Sequence, residues 1–194
     1  MRVFLALTMY LVLGVAERSV AQADVSLWTR VTDGQTAVFP WINYTKGKLM
    51  LDARYNFDEP NTLGVFVGSP VTKGSFTITP SLGLMTGDYH ATSPQLYVSY
   101  SKGRAYVFMM NQFAAGRGYD FAYHWVNALV QVAPGIQLGL DEQVYKDTQS
   151  AHSAIDIGPI VRFTAKKYYL QIWHSFSPRG DPAKTFIGLG TVIP

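Results

Sequence analysis

Four histidines, His90, His124, His152 and His174, are the side chains of this 194-residue chain best suited to proton transfer near neutral pH. Ser150, Ser153, Ser175 and Ser177 lie close to them in sequence. A hydrolase needs a nucleophile and a base within hydrogen-bond reach, with a third group orienting the base. His174 and Ser175 are adjacent in a stretch that reads as a strand, so their side chains leave on opposite faces. His152 and Ser153 fall in a loop, where a contact is open to them. No Gly-x-Ser-x-Gly turn is present. Metal chemistry fares no better. Asp141 and Glu142 diverge as strand neighbours, Asp147 stands alone, and Asp120 and His124 are too far apart in an extended chain to share one small ion. There is no His-x-x-x-His and no calcium-loop spacing. Gly116-Arg117-Gly118 lacks the pattern of a phosphate loop. The reading is therefore a protein that is not an enzyme, with no cofactor and no metal.

Elements that repeat every second residue hold the remaining polar groups. In 48–57, Lys48, Asp52, Arg54 and Asn56 alternate with Leu49, Leu51, Ala53, Tyr55 and Phe57, which in a strand gives one polar and one apolar face. The same alternation recurs in 135–145, 154–164 and 168–176. Basic or glycine turns (Thr45-Lys46-Gly47, Thr72-Lys73-Gly74, Ser101-Lys102-Gly103, Ala133-Pro134-Gly135, Ala165-Lys166-Lys167) alternate with mixed loops at 58–61, 87–94, 114–118, 147–153 and 177–183, a series that Asp33-Gly34-Gln35 begins. Such turns close hairpins. Threading strands between them gives about 24–32, 37–45, 48–57, 62–69, 75–86, 94–101, 104–113, 119–132, 135–146, 154–165, 167–177 and 184–193. The predicted class is all-β, an antiparallel up-and-down barrel of about twelve strands, with ten or eight also compatible with the length.

The solvent outside that barrel follows from composition. The chain is 48% hydrophobic and only 15% charged, against roughly 25% in ordinary soluble domains, and much of its charge sits in turns. A soluble barrel would need charge along its exposed strand faces. Aromatics near strand ends (Trp28, Phe39, Trp41, Tyr44, Phe57, Tyr100, Phe113, Tyr119, Phe121, Tyr123, Trp125, Tyr168, Tyr169, Phe176) match interfacial girdles. The net charge of +3 is too small to mark a nucleic-acid binder. With the apolar faces toward lipid, Lys48, Asp52, Arg54, Asn56, Gln137, Asp141, Gln143, Asp156, Arg162 and Gln171 face the lumen, where opposite charges should pair.

Residues 1–23 read as a cleaved secretory signal peptide: Arg2, an uncharged apolar run over Val3–Ala16, and a small-x-small site at Ala21-Gln22-Ala23. The barrel then spans 24–194. The leader, the alternation, the Lys-Gly turns and a segment such as Leu51-Asp52-Ala53-Arg54-Tyr55-Asn56-Phe57 resemble those of small bacterial outer-membrane β-barrel proteins of a porin-like kind. That resemblance implies location in the cell outer membrane, contact with outer-membrane lipid, and delivery by the barrel-insertion machinery. Family members commonly end in an aromatic residue, whereas this chain ends at Pro194. The lumen implies a narrow polar passage or binding cup for a small hydrophilic solute. The alternatives are a structural or surface-interaction barrel with a plugged lumen, an envelope lipid hydrolase, and a soluble periplasmic lipid-binding barrel.

Overall fold

The computed structural model describes residues 21–150 and 153–194; most of the expected leader, and His152, lie outside the described residues. The described residues run as thirteen antiparallel segments: β1 Gln22–Thr32, β2 Gln35–Lys46, β3 Leu49–Tyr55, β4 Thr62–Gly68, β5 Val71–Lys73, β6 Phe76–Gly87, β7 Ala91–Lys102, β8 Ala105–Gly116, β9 Asp120–Ala133, β10 Ile136–Asp147, β11 Ala154–Ala165, β12 Tyr168–Ser175 and β13 Lys184–Ile193. Segments β4 and β5 pair with β6 in one unbroken register, Gly68 opposite Ser81 and Val71 opposite Ile78. They form a single stave interrupted at Ser69-Pro70. Pairing of β1 with β13 and of β4 with β6 closes the sheet on itself, leaving no unpaired edge. The result is a closed up-and-down barrel of twelve staves.

Three of the tight turns share one geometry. Each places a glycine first in a two-residue loop, Gly47, Gly74 and Gly103, with φ of 59°, 61° and 61°. A positive φ at that position is what a type II′ hairpin demands, and glycine takes it without a Cβ clash. At the opposite rim, Asp33-Gly34 is also a two-residue turn, with both φ values positive, rather than the mixed loop expected. The other loops on that rim are longer. Two strands reach further toward the loop rim than the sequence suggests. β7 already pairs at Ala91 and β8 runs to Gly116, because Ser93 Oγ donates to the Phe113 carbonyl at 3.0 Å where Pro94 has no N–H to give.

Alternation sorts the side chains as a membrane-spanning barrel requires. Leu27, Ile42, Leu51, Tyr55, Leu84, Leu138, Leu140 and Leu189 are exposed outside. Asp52, Arg54, Asp141 and Gln171 are buried inside. The outer girdle is smaller than the aromatic count suggests. Tyr44, Phe76, Tyr100, Phe163 and Tyr168 stand outward near the tight-turn rim, and Tyr55, Phe113 and Phe176 near the loop rim. Trp28, Phe39, Trp41, Phe57, Phe121, Tyr123, Trp125 and Tyr169, expected in the girdles, point inward and form the core. Both faces of a small barrel consume aromatics, and position along a strand does not say which face takes them.

Candidate functional site

The lumen is crossed by a layer of rings. Trp41 on β2 and Trp125 on β9 come from staves diametrically opposite in the closed ring, yet their centroids are 6.1 Å apart. Phe57 sits against both, at 4.9 and 5.8 Å. Trp173 continues the layer from Trp125 at 5.9 Å and stacks on Phe186 at 4.5 Å, and Trp28 joins Trp173 at 5.1 Å. Such tilted and stacked pairs are favoured by the ring quadrupoles. Trp28 of this layer, and Phe66 on the neighbouring wall, lie over glycines. A Cβ on Gly188 would lie 2.1 Å from the Trp28 ring, and one on Gly83 would lie 2.2 Å from Phe66.

Phe57 reaches this layer because the β3–β4 loop folds into the bore. Asn56 and Asn61 bracket the loop with φ of 60° and 50°, a conformation asparagine tolerates better than most residues. The Asn61 N–H donates to Asn56 Oδ1 at 2.6 Å, and Asn61 Nδ2 donates to Asp88 Oδ2 at 2.9 Å. Between them, Asp58 binds Arg54 Nε at 2.8 Å and Glu59 accepts from the Tyr145 hydroxyl at 2.8 Å. Burial, and after it the Glu59 carboxylate, hold the nearby Tyr119 hydroxyl above its ordinary range, so it stays protonated.

Arg54 is the polar centre of the layer, and it is 1% exposed. Its guanidinium donates to Asp58, to Gln112 Oε1 at 2.7 Å and to the Tyr97 hydroxyl at 3.1 Å. It lies 4.3 Å over Phe66, and Asp52 Oδ1 is 3.8 Å away. Asp52 in turn accepts from Trp41 Nε1 at 2.5 Å and Asn43 at 3.2 Å. Asp141 is fully buried and accepts from Trp125 Nε1, Asn127 and Gln143 at 2.5, 2.5 and 3.1 Å. Charge removed from water calls for such partners, and the satisfaction is incomplete: Asp52 Oδ1 and Asp58 Oδ1 are buried without a hydrogen bond.

A cavity opens on either side of the layer. Toward the tight turns lies one of about 580 Å³ lined by Asp24, Trp28, Trp41, Asn43, Tyr97, Tyr106, Trp125, Asn127, Arg162, Tyr169 and Gln171, among others. Toward the loops lies one of about 320 Å³ lined by Arg30, Phe39, Phe57, Asp58, Glu59, Tyr123, Gln143, Tyr145, Asp156 and Lys184, among others. The two share no lining residue. Each holds an arginine laid on a ring, Arg162 at 4.5 Å from Tyr169 and Arg30 at 5.2 Å from Phe39. Among the described residues neither has an acid within 4.0 Å.

Of the lumen residues expected from sequence, Asp52, Arg54, Asp141, Asp156 and Gln171 are buried inside, and Gln143 and Arg162 line the two cavities. Gln137 pairs with Arg162 across the β10–β11 ladder and is half-buried. Two differ. Lys48 is the second residue of the β2–β3 turn and is exposed, because β3 starts only at Leu49. Asn56 has left the strand for the left-handed turn that aims the loop inward. That turn also overturns the placing of Phe57 on the outer apolar face.

The expected pairing is redistributed too. Arg54 binds chiefly Asp58, and Asp156 binds Lys184 at 2.5 Å, neither of which was singled out. The catalytic candidates His174 and Ser175 stay apart, and of the His152–Ser153 pair the described residues include Ser153 alone. His174 is outward beside Thr185 at 2.8 Å while Ser175 is buried within, and His124 is outward beside Asn111 at 2.8 Å.

No protein-family model matches the chain, and no curated protein matches it. Solved structures do. A KdgM porin in complex with disordered oligogalacturonate aligns over 87% of this chain and 98% of its own, at TM-score 0.67 and 12% identity. A loop L8 deletion mutant of OmpT, an outer-membrane protein of Vibrio cholerae, aligns over 90% and 98%, at TM-score 0.52 and 10% identity. The chain thus has the fold of outer-membrane porins.

Proposed function

We propose that this protein is exported by its leader to the outer membrane, where its barrel takes small hydrophilic solutes into the lumen. The observation that carries the reading is the pair of polar-aromatic cups set back to back across a layer of rings, in which the loop-borne Phe57 packs against the strand-borne Trp41 and Trp125. Small barrels fill with side chains and larger ones leave a channel; twelve staves leave two cups and a removable partition. The cup of about 580 Å³ is within the ~300–1,000 Å³ of ordinary ligand sites. Its rings offer apolar faces, and its asparagine, glutamine and arginine side chains offer hydrogen bonds to a solute rich in hydroxyls or carboxylates.

The oligogalacturonate of the similar porin makes a uronate the first solute to try, with Arg30 and Arg162 as the cations free to meet it. The test is single-channel recording of the folded protein in planar bilayers, with tryptophan fluorescence during titration with digalacturonate. Trp28, Trp41 and Trp125 line the larger cup, so occupancy changes their emission. We expect a small, mostly closed conductance and a saturable fluorescence change. A wide, permanently open pore would contradict the partition. A silent bilayer together with unchanged emission for charged and neutral sugars alike would leave the structural barrel as the better reading, which the buried ion pairs of Arg54 with Asp58 and Asp52 favour.

A further inference from the structure

We infer that the outer wall over β8, β9 and β10 is a two-fold interface between two copies of this barrel within the membrane, an inference that rests on the membrane-spanning reading above. Strand pairing lays the outward side chains of this wall in rows. One row is Met109, Val126, Glu142 and Ile157. Next toward the loop rim come Asn111, His124 and Val144, and then Phe113, Ala122 and Lys146. Glu142 stands near the middle of β10, on the face where Leu138 and Leu140 are exposed. Its row neighbours are all apolar. Among the described residues its carboxylate has neither a hydrogen bond nor an ion pair. An ionisable group set against hydrocarbon is costly and calls for a partner. One row away, the His124–Asn111 contact uses a single ring nitrogen and leaves the other, with the asparagine amide nitrogen, to the outside.

The opposite wall is the control that the molecule itself provides. Across β1 to β4 the outward positions include Val25, Leu27, Val38, Ile42, Leu51 and Val65, and the charged side chain on these strand faces, Lys46, stands at the tight-turn rim and not at mid-strand. Acyl chains cover that wall and give Glu142 nothing. A second copy does. The patch carries its acid, Glu142, within one or two rows of its bases, His124 and Lys146, so it complements itself. In an isologous contact each surface meets its own image, bringing Glu142 of one protomer to the partner subunit's His124 and the reverse, two pairs by symmetry. The same wall has room to dock. A shallow groove of about 530 Å³ runs over Leu96, Asn111, Phe113, His124 and Val144, beside the break that Pro94 makes in the β7–β8 ladder.

The chain has no cysteine, so single thiols report on the contact without background. Val126→Cys lies in the Glu142 row and Ile42→Cys on the far wall. Each is folded into lipid vesicles at the same protein-to-lipid ratio and treated with a short bis-maleimide. We expect linked dimers from Val126→Cys several-fold above those from Ile42→Cys, and a fall to the Ile42→Cys level when Glu142→Leu is added. The Glu142→Leu barrel should still fold, which its heat-modifiable gel shift reads separately. Equal yields from the two positions, or a Val126→Cys yield indifferent to Glu142→Leu, would overturn the interface. Protein that does not float with the vesicles would overturn the membrane reading itself, and the interface with it.

Discussion

The two cups differ in what builds their walls. The larger one, toward the tight turns, is made from strand residues alone near the partition: Trp28, Asn43, Tyr97, Asn127, Tyr169 and Gln171 all project from staves whose register is fixed by hydrogen-bonded neighbours. The smaller one, toward the loops, takes Phe57, Asp58, Glu59 and Pro60 from a single loop. Strand walls of a closed barrel have one geometry. A loop has another available to it, provided that what it holds can be released. The difference teaches that the partition is asymmetric: its floor on one side is fixed, and its lid on the other hangs from Asn56 and Asn61.

The largest effect expected from that asymmetry is on conductance. Deleting Phe57-Asp58-Glu59 and bridging with glycine removes the ring between Trp41 and Trp125 and joins the two cavities. Open-channel current in planar bilayers should rise well above the parent, with the heat-modifiable shift unchanged. If current does not rise, the strand-borne rings close the bore unaided and the loop is not the lid.

Removing the cation at the centre comes next. Arg54→Ala leaves Asp52 and Asp58 buried without their partner, and breaking a buried ion pair from one side costs about 3–5 kcal/mol. The unfolding midpoint in urea should fall accordingly. Adding Asp52→Asn and Asp58→Asn to Arg54→Ala should restore much of it, because neutral amides need no counter-charge. A triple variant as weak as the single one would mean that Arg54 acts through its packing on Phe66 rather than through charge.

How much of this was legible in the sequence divides along the same line. Strand-borne features were: alternation over 154–164 put Asp156 and Arg162 on one face and Ile155 and Ile157 on the other, and the structure keeps that division. Period-two patterning works because each residue's direction depends only on its place in the strand. The loop defeated it. Carrying the alternation of β3 two residues too far set Phe57 on the outside, whereas the positive φ at Asn56 resets direction at that residue. The cue was present, since asparagines flank the segment at 56 and 61 and proline follows Glu59. It identifies a turn but not which way the turn leans. The partition itself was hidden for a different reason. Contacts such as Trp41 with Trp125 join opposite staves, and no local pattern encodes the distance across a closed ring. A partial signal did exist in Gly64, Gly83, Gly188 and Gly190, which share the inward parity of their strands and mark where rings lie flat against the wall.

A smaller effect follows from one of those glycines. Gly83→Ala should push Phe66 off its seat, because the new methyl would overlap the ring. Overpacking of this kind costs about 1–3 kcal/mol. Phe66 is also the surface on which Arg54 rests, so the displacement should loosen the lid as well as the wall. Channel recordings of Gly83→Ala should therefore show more frequent brief openings than the parent at the same voltage, with a single-opening size below that of the loop deletion. Openings of parental frequency, alongside a lowered urea midpoint, would separate the two roles of Phe66 and confine it to the wall. The comparison between cups would then sharpen, because the lid would be held by its own bonds, Asp58 to Arg54, Glu59 to Tyr145 and Asn61 to Asp88, and not by the seat of Phe66.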